Sequence, residues 1–446
     1  GADVRSHLRF DAGRASVTHL RDDGVELEDR PCDDPLEVLK DVLSRRTVWE
    51  PDDLPRFSGG AVGWLGFDCV RAFEPSVPLP DAPGLGAPMG EMLVADAIAA
   101  YDHVKRQVVL IVHAPLEGDR ALAYDRALDR LHAMIGRLSL PHGVPEAPWL
   151  LPTQDPGEIE ASLPIRSNRT QEDMEHAVRV AKQAIEAGEV FQVVPSQRLS
   201  VPVEVDPLVL YRALRAVNPS PYMFLLRLDE RSLVGASPEV LVRLEDDELL
   251  VRPIAGTRPR GETPAEDEAL AAELLADEKE LAEHRMLVDL GRNDLGRVAA
   301  RGTVRVEDPE HIERYAHVMH IVTDVRARLR EGLDAFDVLR ACFPAGTVSG
   351  APKIRAAELL ATLEPDRRGP YAGAVGYFGF DGSLDTCIAI RTLVVDAGGV
   401  HVQAGAGVVH DSDPTSEHLE CRRKALSCLR ALQLALQRTG SLGGAA

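Results

Sequence analysis

Five prolines, Pro141, Pro145, Pro148, Pro152 and Pro156, fall within sixteen consecutive residues. Proline lacks a backbone N–H and its ring obstructs the preceding turn, so a run this dense fits neither a helix nor a central strand. The segment reads as a connector, and it divides the chain. We expect an N-terminal part over 1–150, a proline-rich connector over 151–165 and a larger domain over 166–446. The 446 residues are too many for a single core, so two or three packed units are expected.

Local signals give each part its elements. In the first, short strands precede a helix over 117–138, and Asp81–Gly90 is a Pro/Gly-rich loop. In the second, Thr170 and Asp173 form a capping box for a helix that stops near Gly188. Thr263, Pro264 and Glu266 open a helical pattern that breaks at Asp277 and ends before Gly291. Further helices are expected over 334–342, 353–362 and 414–437. Strands are expected over 191–194, 223–228, 249–251, 372–380, 386–395 and 400–405. The pattern is mixed α/β without regular βαβ alternation.

Charge narrows the partners. Lys and Arg number 50 against 71 Asp and Glu, for a net charge of −21. So acidic a surface repels nucleic acid and anionic membranes, so neither is expected as a partner. An anionic substrate must be met by locally placed cations. The six cysteines show no metal-binding spacing and read as small core residues of a cytoplasmic protein. Val108–Val112 is strand-length, and no run approaches the ~18 apolar residues of a membrane span.

The chemistry-bearing pattern is a pair of pairs. Glu280 and Glu283, and Glu417 and Glu420, each stand three residues apart on a predicted helix, so each pair shares one face. If the two faces meet, four carboxylates share a pocket. An all-carboxylate site suits Mg²⁺ rather than a softer metal. Other motifs fail: Gly346–Lys353 lacks the adjacent Gly-Lys-Ser/Thr of a phosphate loop, and Gly405-Ala-Gly407 lacks the third glycine of a dinucleotide fingerprint.

Four longer motifs accompany the acidic pairs: Pro253-Ile-Ala-Gly-Thr257, Asp289-Leu-Gly-Arg-Asn-Asp294, Phe343-Pro-Ala-Gly-Thr347-Val-Ser-Gly-Ala-Pro-Lys353 and Gln403-Ala-Gly-Ala-Gly407. In this order they resemble the chorismate-binding enzymes, densely over residues 166–435. The resemblance implies one large α/β (α+β) fold, a two-sheet β-sandwich with helices between and outside the sheets. It implies chorismate as substrate and Mg²⁺ as cofactor, with Glu283 and Glu420 as direct ligands and Glu280 and Glu417 acting through water. Glu239 matches the general acid for the departing C4 hydroxyl, and His320 the histidine implicated in pyruvate loss. Tyr371, Arg391, Gly405 and Gly407 match the groups that grip the enolpyruvyl carboxylate. Gly256, Thr257 and Thr347 match substrate contacts, and Lys424 balances charge.

Within the family, water-using members carry a lysine base where this chain has Gln192. Others carry a nucleophilic lysine where it has Ala255. Both substitutions point to direct attack by ammonia and to anthranilate and pyruvate as products, in tryptophan biosynthesis. Ammonia is expected from a separate glutamine amidotransferase subunit. The alternatives are an aminodeoxychorismate or aminodeoxyisochorismate synthase, or an inactive regulatory subunit that binds tryptophan. Asn218–Met223 resembles a tryptophan-binding segment, with Pro221, Tyr222 and Met223 lining it. Its companion Leu-Leu-Glu-Ser segment does not occur in these residues.

Overall fold

A computed structural model of the chain describes residues 4–439, apart from 22–23, 45–47, 50, 52, 117, 141–155 and 316–317. Of the connector expected over 151–165, residues 151–155 lie outside the described residues, and Pro156–Ala161 forms a short helix. The chain separates into two compact units whose border departs from chain order. One comprises Gly1–Trp64, Pro88–Pro148 and Gly376–Leu384; the other comprises Leu65–Ala87, Trp149–Val375 and Asp385–Ala446.

In the first unit, Val4–Asp11 pairs antiparallel with Gly13–Arg21 on one side and Gly90–Ala95 on the other. Leu8 and Phe10 alternate inward and are fully buried, the period-2 pattern of a strand with one covered face. The helix Arg120–Ser139 starts where the Asp119 carboxylate accepts from the Ala121 and Leu122 amides.

The second unit contains two groups of antiparallel strands. One runs in the order Tyr222–Arg227, Ser232–Ser237, Thr392–Asp396, Gly399–Gly405, Ser196–Val201, Arg166–Ser167. The helices Pro207–Val217 and Pro414–Thr439 cover it through Leu210, Leu214, Leu429, Leu432 and Leu436, packed on Leu199, Val201 and Val400. Burying each leucine contributes roughly 1.5–3 kcal/mol. The other group runs Ile254–Pro259, Val318–Arg328, Glu248–Val251, Val240–Glu245, Leu384–Ile388. The helix Pro264–Ala276 packs on it through Ala271 and Leu274 against Met319 and Ile321.

Two expectations need correction. The strand expected over 386–395 is two strands, Leu384–Ile388 and Thr392–Asp396, in different sheets. The chain turns between them at Arg391, whose φ of 50° lies in the left-handed region that non-glycine residues avoid. The helix expected to end before Gly291 runs from Glu278 to Gly296. Gly291 serves close packing there: a Cβ would lie 2.9 Å from Val251 Cγ2.

Candidate active site

Helix starts place the acidic pairs. The Asp277 carboxylate accepts from the Lys279 and Glu280 amides at 3.1 and 3.2 Å, starting the helix that carries Glu280 and Glu283. The Asp413 carboxylate accepts from the Ser416 amide at 2.9 Å, setting the first turn before Glu417 and Glu420. Burial raises the pKa of Glu280, and Glu283 beside it adds to the rise. Burial likewise raises that of Glu417, a Ser412 hydrogen bond lowers it by less, and Glu420 adds to the rise. Glu417 Oε2 is buried without a hydrogen-bond partner.

Side chains and glycines link these helices. Gln192, 3% exposed, donates from Nε2 to Glu283 Oε1 at 3.3 Å. A Cβ on Gly407 would fall 2.6 Å from that Nε2, so only glycine fits without a shift. A Cβ on Gly405 would fall 2.8 Å from the Tyr371 hydroxyl and 2.9 Å from the Pro195 carbonyl oxygen. Lys424 donates to the Gly405 carbonyl at 3.2 Å and forms an ion pair with Glu420 at 2.7 Å.

Glu239 lies at the turn after Ser232–Ser237 and is 9% exposed. Burial pushes its carboxyl up to about 8; Thr347 and Lys424 lower it less than burial raises it. The buried Thr347 hydroxyl makes no hydrogen bond of ordinary geometry. His320 donates from Nδ1 to the Gly256 carbonyl at 2.8 Å, with the Thr257 hydroxyl 3.2 Å from the same nitrogen. Burial lowers the pKa of the ring. The neutral imidazole therefore carries its proton on Nδ1 and keeps a lone pair on Nε2. Gly256, at φ 66°, also approaches Glu280: a Cβ there would lie 3.3 Å from Glu280 Oε2.

Arg391 is a cation with no carboxylate of the described residues acting on it, and burial lowers its pKa. Among the described residues no ion pair to its guanidinium is found, although its charge acts on His320. A half-buried guanidinium without a carboxylate is suited to a carboxylate brought by a ligand.

Among the described residues no three acidic, histidine or cysteine side chains stand close enough to share one ion. The glutamates stand as two pairs on separate helices, Glu280 with Glu283 and Glu417 with Glu420. Mg²⁺ commonly keeps several waters. The all-oxygen donor set and the unpartnered Glu417 oxygen fit such a hard cation.

Pro221, Tyr222 and Met223 are not joined to this set by any hydrogen bond or ion pair among the described residues. Tyr222 instead donates to Asp385 at 2.8 Å and accepts from Arg243 at 3.0 Å. Sequence reasoning missed two buried ion pairs next to the site. Lys353, the last residue of one of the long motifs, donates to Asp294 at 2.8 Å and to the Cys342 carbonyl at 2.7 Å, pinning two of the long motifs together. Arg368 pairs with Glu364 at 2.7 Å; the only hint in sequence was a basic dipeptide, Arg367-Arg368, before Gly369-Pro370-Tyr371.

The family model for chorismate binding enzymes matches residues 6–430. Anthranilate synthase component 1 of Pseudomonas putida is 46% identical over 441 residues, 98% of this chain and 87% of the relative. That of Streptomyces coelicolor is 48% identical over 406 residues, 90% of this chain and 78% of the relative. The crystal structure of anthranilate synthase component I from Streptococcus pneumoniae aligns with a TM-score of 0.81 and 34% identity, covering 96% of this chain and 90% of that one. MenF, the menaquinone-specific isochorismate synthase of Escherichia coli, shares the fold at a TM-score of 0.69 and 20% identity, over 96% of this chain and 88% of that one. With helices, strand groups and motifs in the order this fold requires, the chain belongs to the chorismate-binding enzyme family.

Proposed function

We propose that the chain is the large subunit of an anthranilate synthase. It would convert chorismate and ammonia to anthranilate, pyruvate and water through 2-amino-4-deoxyisochorismate. The observation that carries this reading is Gln192. It is buried against Glu283, where family members that activate water carry a lysine. A carboxamide has no basicity to activate water, whereas ammonia is already nucleophilic. Ala255 likewise excludes the covalent lysine route.

The residues divide the work. Arg391, Tyr371 and the amides of Gly405 and Gly407 hold the enolpyruvyl carboxylate, while Gly256, Thr257 and Thr347 contact the rest of the substrate. Glu239, protonated at neutral pH because it is buried, gives its proton to the C4 hydroxyl, which leaves as water while nitrogen bonds at C2. His320 then accepts the C2 proton at Nε2 as the enolpyruvyl C3–O bond breaks, and pyruvate departs. Glu283 and Glu420 would hold Mg²⁺ directly, with Glu280 and Glu417 through water. When bound, the ion supplies Lewis-acid polarisation and a countercharge for the ring carboxylate.

The relatives' names number them component 1, which supports a further component, here a glutamine amidotransferase subunit that supplies ammonia. Feedback by L-tryptophan at Pro221, Tyr222 and Met223 belongs to the same reading; a calorimetric titration without heat of binding would remove it. Incubation with chorismate, Mg²⁺ and ¹⁵N-ammonium tests the central step. A product carrying ¹⁵N is expected, and isochorismate in its place would overturn the assignment.

A further inference from the structure

We propose that the buried Arg368–Glu364 ion pair is the positioning element of the site, setting the segments that carry Gln192, Thr347, Tyr371 and Gly405 relative to one another. The inference rests on the reading of those residues as the chorismate site.

Arg368 is 2% exposed and Glu364 7%, and every donor group of the fork is used. Arg368 Nε and Nη2 donate to the two Glu364 oxygens at 2.8 and 2.7 Å. Nη1 donates to the Val348 carbonyl at 2.7 Å, and Nη2 also donates to the Val194 carbonyl at 2.7 Å. Val348 adjoins Thr347, and Val194 lies two residues after Gln192. The guanidinium also stands over the Tyr371 ring, 5.3 Å from its centroid, and over Phe67 at 4.5 Å. Glu364 extends the link, accepting from the Ser196 amide at 2.9 Å and the Ser196 hydroxyl at 2.7 Å. The Ser196 oxygen in turn accepts from Gln403 Nε2 at 2.8 Å, two residues before Gly405.

Four separate segments therefore meet on one charge pair. A buried ion pair is a poor source of stability, because desolvation offsets its attraction and apolar replacement of both partners is often neutral. What apolar side chains cannot reproduce is a planar fork that directs two backbone carbonyls and an aromatic ring at fixed angles, and lysine cannot reproduce it either. The pair's contribution is thus geometric.

The test compares wild type, R368M/E364L and R368K by thermal unfolding and by steady-state kinetics in chorismate. We expect the double variant to unfold at a lower temperature, because the Val194 and Val348 carbonyls and the Ser196 amide lose their partners. We expect kcat/KM to fall by roughly a hundredfold, the cost of an ångström-scale misplacement, with a raised KM for chorismate. Partial unfolding alone would lower kcat and leave KM unchanged. If the double variant does not fold, R368K decides: it keeps the charge and should still show the raised KM. A folded variant of either kind with wild-type KM and kcat overturns the proposal. A wild-type chain that does not turn over chorismate would instead overturn the reading of the site.

Discussion

Replacing Glu239 with glutamine should make the protein slower and more stable at once. The carboxyl is raised from 4.5 to about 8 by burial. A group whose folded pKa lies above its unfolded value contributes stability fully below the unfolded pKa and loses it as pH rises through the folded one. Between pH 4.5 and 8, holding the proton costs the native state about 1.4 kcal/mol per pH unit. At pH 7 the penalty is about 3 kcal/mol, and it levels off above the folded pKa. Glutamine keeps the shape and has no such penalty, so E239Q should unfold at higher denaturant than wild type at pH 8 and show little difference near pH 4.5. It also removes the proposed proton donor for the C4 hydroxyl, a contribution of about 10²–10⁴-fold in kcat. The wild-type kcat/KM, measured at constant free ammonia, should fall above about pH 8 as the acid ionises. Denaturant titrations at the two pH values and a pH–rate profile check both arms. A variant within about threefold of wild-type kcat would refute the general-acid role, since that lies below any usual general-acid contribution. Equal stabilities at pH 8 would refute the buried protonated carboxyl.

Arg391→Lys keeps the charge but loses the fork, so KM for chorismate should rise by roughly 10- to 100-fold, the value of one charge-assisted hydrogen bond. Gly407→Ala places a Cβ 2.6 Å from Gln192 Nε2. Displacing Gln192 from Glu283 should lower the rate with ammonia while costing about 1–3 kcal/mol of stability in denaturant titration. Lys353→Met strands Asp294, whose pKa burial already raises, and should destabilise by about 3–5 kcal/mol; an unchanged unfolding midpoint would contradict the buried pair.

How much of this was legible in the sequence depended on the range of the physics involved. Helix starts at Thr170 and Thr263 are set by side chains two or three residues away, and both are seen as read; the break read at Asp277 is the N-cap of the next helix. The carboxylate pairs were legible for the same reason, because three residues is less than one helical turn. Arg391 was different. Its left-handed backbone, which splits an apparently continuous strand between two sheets, is imposed by tertiary structure. Gly291 read as a helix stop because local rules cannot register that Val251 packs against it. The Arg368–Glu364 pair stayed hidden for a related reason. Its two members are four residues apart, but the carbonyls and rings that give it meaning come from Val194, Val348, Tyr371 and Phe67.

The most direct measurement follows anthranilate fluorescence and pyruvate release together, from the purified chain with chorismate, Mg²⁺ and ammonium at alkaline pH. Both products are expected in equal amounts, through the elimination proposed for His320. Chorismate consumed with nitrogen incorporated but no pyruvate released would contradict it, and would place the chain among the synthases that stop at the amino intermediate.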